Sequence, residues 1–252
     1  MQNNLIELSF DKNIAKIMLN DPERRNALSI TMFDGLDEAL KEVSKRNNTN
    51  VLLICGNGKA FCSGFDLAAA KDDLSVLEQF IIRLSTLIRS LRRLQCPVVA
   101  AVHKAAIAGG CAAVSACDIV VASTNTKFGY PVHKLGVSPA VNIATLQQAI
   151  GPGATRSLLM GGELIDGKTA HHLGLVHHLV ETDDEVLAKA NEICETLAKQ
   201  SPQALQVTKK WLNELDGSDD DDLFDGPRDG SAEIAQSQEA AEMLDKFWAN
   251  KQ

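Results

Sequence analysis

Apolar and polar residues alternate along Leu5–Ser9 and again along Ile14–Leu19. Asp11-Lys12-Asn13 joins these two runs, so the pattern predicts a β-hairpin. The period then lengthens. From Thr31 to about Arg46, Phe33, Leu36, Leu40 and Val43 recur at helical spacing, with Ser29 or Thr31 available as the N-cap. Val51–Cys55 is an unbroken apolar run closed by Gly56-Asn57-Gly58, the pattern of a buried strand. Leu74 to Leu94 predicts a long amphipathic helix stopped by Pro97. Val98–Val102 and Ile119–Ala122 predict further strands around a short helix opening at Gly109. Strands alternating with helices predict an α/β fold with right-handed crossovers. Beyond Asp183 the pattern becomes helical, with helices expected over 184–199, 202–215 and 231–249. The chain thus divides into a core at 1–182 and a helical segment at 183–252.

Composition narrows this picture. A chain of 252 residues with 45% apolar and 4% aromatic content builds one sizeable, mainly aliphatic core. A net charge of −8 argues against nucleic acid or a membrane surface as a partner. Part of that charge sits in Asp219–Asp222, expected to be a solvated loop. The six cysteines form no C-x-x-C pair and several lie in apolar runs, which suits reduced thiols in a cytoplasmic protein. The polar N-terminus lacks an apolar h-region, and no run reaches membrane-spanning length. His171-His172 and His177-His178 are adjacent pairs rather than ligands on one helix face, so no metal is expected.

Two glycine-containing stretches carry the candidate chemistry: Ala60-Phe-Cys-Ser-Gly-Phe-Asp66 and Ile107-Ala-Gly-Gly-Cys111. A helix opening at Gly109-Gly110 presents free N–H groups and the positive end of its dipole. A second N–H from the turn around Gly64-Phe65 would complete a two-donor pocket for an oxygen that gains negative charge. That is a strategy for polarising a carbonyl, and it points to an enzyme.

The same stretches resemble the crotonase superfamily of enoyl-CoA hydratases and isomerases. The similarity extends over Leu5 to Lys251 and includes Asn20-Asp-Pro-Glu-Arg-Arg-Asn-Ala-Leu28 and Pro97-Val-Val-Ala-Ala-Val102. It continues through Cys117-Asp-Ile-Val-Val-Ala122, Phe128-Gly-Tyr-Pro131, Leu135-Gly136, Ala170 and Gly174-Leu175-Val176. The resemblance implies a spiral of ββα units followed by a C-terminal helical segment, assembled as a homotrimer or a dimer of trimers. It assigns the oxyanion donors to the N–H groups of Phe65 and Gly109, with Ser63, Gly110, Pro131 and Leu135 beside the substrate. It implies no cofactor other than the coenzyme A carried by the acyl-CoA substrate. Adenine and phosphate contacts would fall at Glu23, Arg24 and Arg25, at Leu67-Ala68, and at Lys246 on the last helix. Guanidinium suits phosphate as a bidentate fork.

The sequence departs from the family at its acids. The positions of the two hydratase glutamates hold Ala112 and Val132, and the third acid position used by some isomerases holds Ala140. Hydration requires a base for water and an acid for the α-carbon, so the two-glutamate mechanism is excluded. Among nearby polar groups, His133 is a candidate acid or base, Asp66 a turn acceptor, and Cys111 a helix-start thiol. Tyr130, Ser115 and Asn142 also flank the motifs. The expected function is an acyl-CoA enzyme stabilising an enolate, by isomerase-like or other enolate chemistry rather than hydration. The alternatives are an inactive acyl-CoA-binding paralogue and an acyl-CoA hydrolase or decarboxylase.

Overall fold

The computed structural model describes residues 5–71 and 73–250. The hairpin forms as expected: β1 (Ile6–Asp11) and β2 (Ile14–Leu19) pair antiparallel around Lys12, which takes φ 51° in the tight turn. Helix α1 (Ile30–Lys45) starts at Ser29, whose hydroxyl accepts from Met32 N–H at 3.1 Å. Strand β3 (Val51–Gly56) pairs parallel with β2, and α2 (Ser75–Arg92) leads to β4 (Val98–Val102), parallel to β3. Then come β5 (Ala105–Ile107), α3 (Gly109–Ser115), β6 (Ile119–Ser123) and β7 (Lys127–Gly129). Helix α4 (Ile143–Gly161), β8 (Leu164–Ile165), α5 (Gly167–Leu173) and β9 (His178–Val180) complete the spiral. Two sheets result, in the orders β1-β2-β3-β4-β6-β9 and β5-β7-β8. All neighbours are parallel except β1–β2 and β7–β8. This is the α/β spiral that the sequence resemblance implies.

The large sheet is buried on both faces, so its strands are continuous apolar runs. Alternate residues separate two cores. Leu52, Ile54, Val98, Ala100, Val102, Val120 and Ala122 face α1, α2 and α3, while Val51, Leu53, Cys55, Val99, Ala101 and Val121 face the other way. The second set is covered by Val186, Ala190 and Cys194 of α6 (Asp183–Ala198). The helical segment that begins at Asp183 therefore seals one face of the sheet.

Beyond α6 run α7 (Pro202–Asp216), α8 (Asp222–Ala235) and α9 (Gln238–Ala249). The single final helix expected over 231–249 is two helices, divided where the Ser237 hydroxyl caps α9 by accepting from Ala240 N–H. Residues 222–230, left outside the helices expected at 202–215 and 231–249, are helical, and α8 runs through Gly226, Pro227 and Gly230. Burial of Phe224, Ala232 and Ala235 in the main core outweighs weak local propensity. The acidic stretch Asp219–Asp222 is exposed, as expected, with Asp222 already in α8. Asp221 pairs with Arg89 (3.2 Å) and Arg93 (2.7 Å) of and beside α2, and Asp216 pairs with Arg92 (2.8 Å). A basic stripe on α2 recruits the acidic residues, a long-range pairing that no local pattern reveals.

Candidate functional site

The 60–66 turn is fastened at both ends. Cys62 bridges Ala106: its N–H donates to Ala105 O (3.1 Å), and its carbonyl accepts from Ile107 N–H (3.0 Å). Gly64, at φ +94°, then swings the chain away within contact of Ile107 and Ala108, where a Cβ would lie 3.1 Å from Ile107 O. Phe65 next bridges Leu28. Leu28 N–H donates to Gly64 O (2.8 Å) and Asp66 N–H donates to Leu28 O (3.1 Å). Backbone groups alternate sides along an extended segment, so the Phe65 N–H points away from Leu28. It has no hydrogen-bond partner among the described residues.

The second turn is strained. Ala108 adopts φ 50°, ψ −112°, a conformation that L side chains rarely hold, while its N–H donates to Gly129 O at 2.8 Å. Helix α3 starts at the next residue, and the Gly109 N–H in its first turn has no hydrogen-bond partner among the described residues. Gly109 packs directly on the first turn: a Cβ there would sit 3.2 Å from a Phe65 ring carbon and 2.9 Å from Leu28 Cδ1. Two unspent main-chain donors thus flank one short contact between segments.

Against this contact lies a small apolar pocket. Its walls include Phe65 and Gly109 together with Ala112 and Val132, the two positions where carboxylates were missing. Ile81 and Leu84 of α2 and the Val137–Pro139 segment close it. Tyr130, Ser138 and Asn142 are the polar side chains of its lining, and Tyr130 and Asn142 are almost fully buried. Asn142 donates from Nδ2 to the Tyr130 hydroxyl. The other end of the amide lies 2.8 Å from Ser115 Oγ and 3.0 Å from Thr145 Oγ1, and Ser115 Oγ is also 2.8 Å from Ala112 O. Burial and the neighbouring Cys111 thiol push the Tyr130 phenol well above its ordinary value, so it remains protonated. Sequence reasoning placed Tyr130 and Asn142 near the motifs but gave them no role. An Asn at the start of a helix with Ser and Thr three residues or more away was the available signal.

Other expected residues lie elsewhere. His133 is exposed in a 3-10 turn (His133–Leu135), with its ring beside Gly162, and is not among the cavity-lining residues. Ala140 is half-buried and also outside the lining. Gly110 faces Cys62, where a Cβ would come within 2.7 Å of the Cys62 Cβ. Pro131, Leu135 and Leu67 are half-buried around the site rather than in its wall. Burial pushes the Cys111 thiol up to about 11, which keeps it protonated and removes it as a nucleophile.

Glu23, Arg24 and Arg25 are exposed in and after a 3-10 turn (Pro22–Arg24). Arg24 is committed to carboxylates, reaching Asp21 at 2.8 Å and Asp66 at 3.2 Å, and its carbonyl accepts from Ser63 Oγ at 3.3 Å. Asp66 therefore fastens the oxyanion turn to the first loop. Arg25, held in the left-handed region at φ 54°, has no ion pair among the described residues. Lys246 is exposed on the last turn of α9, a helix that packs on its own chain, where Gly136 meets Ala240. The joint that sequence reasoning missed is Asn26. Fully buried at φ 55°, it donates to Asn57 O (2.9 Å) and Ala60 O (2.8 Å) and accepts from Asp21 N–H (2.8 Å). Its signal was an Asn between two charged and apolar runs, where αL geometry is tolerated.

A spiral α/β fold carrying two free main-chain donors at an apolar cavity defines the class of this protein. The family whose description is enoyl-CoA hydratase/isomerase matches residues 9–247. The chain belongs to that family. It is 36% identical over 217 residues to a Thermus thermophilus homologue, covering 84% of this chain and 85% of the other. A short-chain-enoyl-CoA hydratase of Clostridium acetobutylicum is 30% identical over 217 residues (84% and 82%). The crystal structure of an enoyl-CoA hydratase from Mycobacterium avium superposes with a TM-score of 0.84 at 27% identity, covering 98% and 96% of the two chains.

Proposed function

We propose that this family member binds an acyl-CoA thioester with its carbonyl oxygen between the N–H groups of Phe65 and Gly109, and stabilises the enolate form without a glutamate pair. The observation that carries the reading is the cavity wall itself: Phe65, Gly109, Ala112 and Val132 line one space, and neither acid position offers a carboxylate. Water activation at that wall has no base, so hydration of an enoyl thioester is not the activity. Enolate chemistry of the isomerase kind, or cleavage that leaves its electrons on the α-carbon, makes smaller demands on side-chain acids. Removing one donor of an oxyanion pair costs about 2.7–4 kcal/mol of barrier in other enzymes, which sets the scale of what the pair contributes.

Coenzyme A phosphates fit Arg25 better than Arg24, since Arg24 is already spent on Asp21 and Asp66. Lys246 stands as the second phosphate candidate. Assembly into a trimer or dimer of trimers is supported by α7, whose outer face exposes Val207, Trp211, Leu212 and Leu215. Leu244 does not join that face, being buried within its own chain. An acyl-CoA-binding paralogue without turnover is the second reading, favoured by the same apolar wall. Titration calorimetry with butyryl-CoA beside a crotonyl-CoA hydration assay tests the proposal: binding without hydration is expected. Rapid hydration by the wild-type chain, or no binding at millimolar thioester, would overturn it.

A further inference from the structure

No side chain in the pocket lining carries charge at neutral pH. Tyr130 is its one titratable member, and burial holds the phenol well above its ordinary value. The three polar side chains of the lining are engaged within the chain. The Asn142 amide lies between the Tyr130 hydroxyl on one side and the Ser115 and Thr145 hydroxyls on the other, and Ser115 Oγ donates to Ala112 O at 2.8 Å. Ser138 Oγ accepts from Ala140 N–H at 3.2 Å. These atoms turn almost no polar surface to the pocket. The side-chain wall met by a ligand is therefore hydrocarbon: Ile81 and Leu84 from α2, Val137 and Val141 ahead of α4, and Ala112 and Val132 at the positions of the two hydratase glutamates. The Phe65 and Gly109 N–H groups serve a single oxygen, that of the thioester.

A polar substituent on the acyl chain would leave water and find no partner in this wall. Burying an unanswered hydroxyl is costly, and an uncompensated carboxylate far more so. A glutamate at 112 or 132 could accept the hydroxyl's proton, whereas alanine and valine cannot. We propose, building on the acyl-CoA reading, that this site selects thioesters whose acyl chain is hydrocarbon throughout, with Val132 and Ala112 as the specificity-determining residues that reject 3-hydroxyacyl and carboxyacyl groups. The selection narrows the enolate chemistry. Hydration of an enoyl thioester yields the very hydroxyl that the wall rejects. Decarboxylation needs a malonyl-type carboxylate inside the wall, where no cation meets it. Proton transfer along an unsubstituted chain is what the site admits. No bond is made or broken in the selection itself, so binding measures it without turnover.

Two matched pairs of thioesters test it by titration calorimetry: butyryl-CoA against 3-hydroxybutyryl-CoA, and propionyl-CoA against malonyl-CoA. The first pair differs by a hydroxyl at carbon 3, the second by a carboxylate in place of a methyl. Wild-type protein is expected to favour butyryl-CoA about 10- to 100-fold, the range an apolar pocket achieves against an added hydroxyl, and propionyl-CoA by at least as much. Val132→Thr and Ala112→Ser each add one hydroxyl at the wall, and at least one of them should narrow the first ratio about threefold or more. Circular dichroism checks that each variant is folded; where neither is, the wild-type ratios decide alone. Equal or reversed affinities within either pair, decarboxylation of malonyl-CoA to acetyl-CoA, or a hydroxyl ratio unchanged in both folded variants overturns the inference while leaving acyl-CoA binding intact. If neither butyryl-CoA nor propionyl-CoA binds, the acyl-CoA reading fails, and this inference with it.

Discussion

Gly109 and Gly110 are adjacent in the first turn of α3, yet the structure predicts different consequences for adding a methyl group to each. At Gly110 the new Cβ would lie 2.7 Å from Cys62 Cβ, 2.8 Å from Cys62 O and 2.9 Å from Cys62 Sγ. Cys62 is pinned to β5 by two backbone hydrogen bonds, so the backbone must shift to admit the methyl. Overpacking of this kind costs about 1–3 kcal/mol, against which the gain from replacing helical glycine is at most ~1 kcal/mol. At Gly109 the obstacles are Leu28 Cδ1 at 2.9 Å and Phe65 ring carbons at 3.2 and 3.4 Å, all ends of side chains that can give. Gly109→Ala should therefore fold with a stability near wild type. With the net cost taken as about 1–2 kcal/mol, Gly110→Ala should lose roughly 2–8 °C of melting temperature, at about 2–4 °C per kcal/mol for a chain of this size. Function should show the reverse emphasis. The Gly109 methyl enters the contact between the two proposed donors and spreads them, so Gly109→Ala should weaken butyryl-CoA binding about tenfold or more despite its intact fold. Thermal unfolding by circular dichroism and calorimetric titration read the two effects separately. A Gly110→Ala protein as stable as wild type, or a Gly109→Ala protein with unchanged affinity, would refute the packing argument.

Burial holds the Cys62 and Cys117 thiols up at about 12 and Cys111 at about 11, so native protein at pH 8 should leave Ellman's reagent unreacted, while denatured protein should release six thiols. Prompt reaction of even one thiol in the folded state would contradict this. Burial pulls the Asp183 carboxyl upward, but hydrogen bonds from the Lys104 ammonium and N–H and from Ser123 Oγ prevail and hold it below its ordinary value. A depressed carboxylate stabilises above its unfolded value and loses that contribution as pH falls through the folded one. Asp183→Asn should therefore lower the melting temperature at pH 7, with the difference from wild type shrinking below pH 4; a constant difference across pH 3–7 would count against it. Lys209, almost wholly buried, donates to Leu91 O, Cys96 O and Asp118 Oδ2 at 3.3, 3.1 and 2.7 Å. Lys209→Ala leaves Asp118 without its cation and should cost about 3–5 kcal/mol in urea unfolding, with a loss under 1 kcal/mol refuting the assignment.

How far the sequence reveals this molecule depends on the range over which each element is stabilised. The β1–β2 hairpin, α1, β3, α2 and β4 carry their own periodicity and their own stops, so they were readable within a residue or two. Strands β5, β7 and β8 were not readable, because two or three residues such as Leu164–Ile165 have too few positions to show a period. Helix α8 was hidden by Pro227 and its glycines, whose local cost is overcome only by contact with α2. At the site, Phe65 and Gly109 came from the glycine turns together with the family resemblance, Ala112 and Val132 from the resemblance alone, and one pocket is lined by all four. His133 neighbours Val132 in sequence but sits in the 3-10 turn, outside the wall. Adjacency in sequence carried no information about that direction.

The Tyr130–Asn142 corner was unreadable for a different reason. Tyr130, Asn142, Ser115 and Thr145 come from four places along the chain, and their chemistry depends on which lone pairs and hydrogens are already used. Only the assembled fold joins them: the Asn142 amide lies between the Tyr130 hydroxyl and the Ser115 and Thr145 hydroxyls, and Ser115 Oγ donates to Ala112 O. These polar groups therefore answer one another beneath an apolar wall, in which 112 is alanine and 132 is valine.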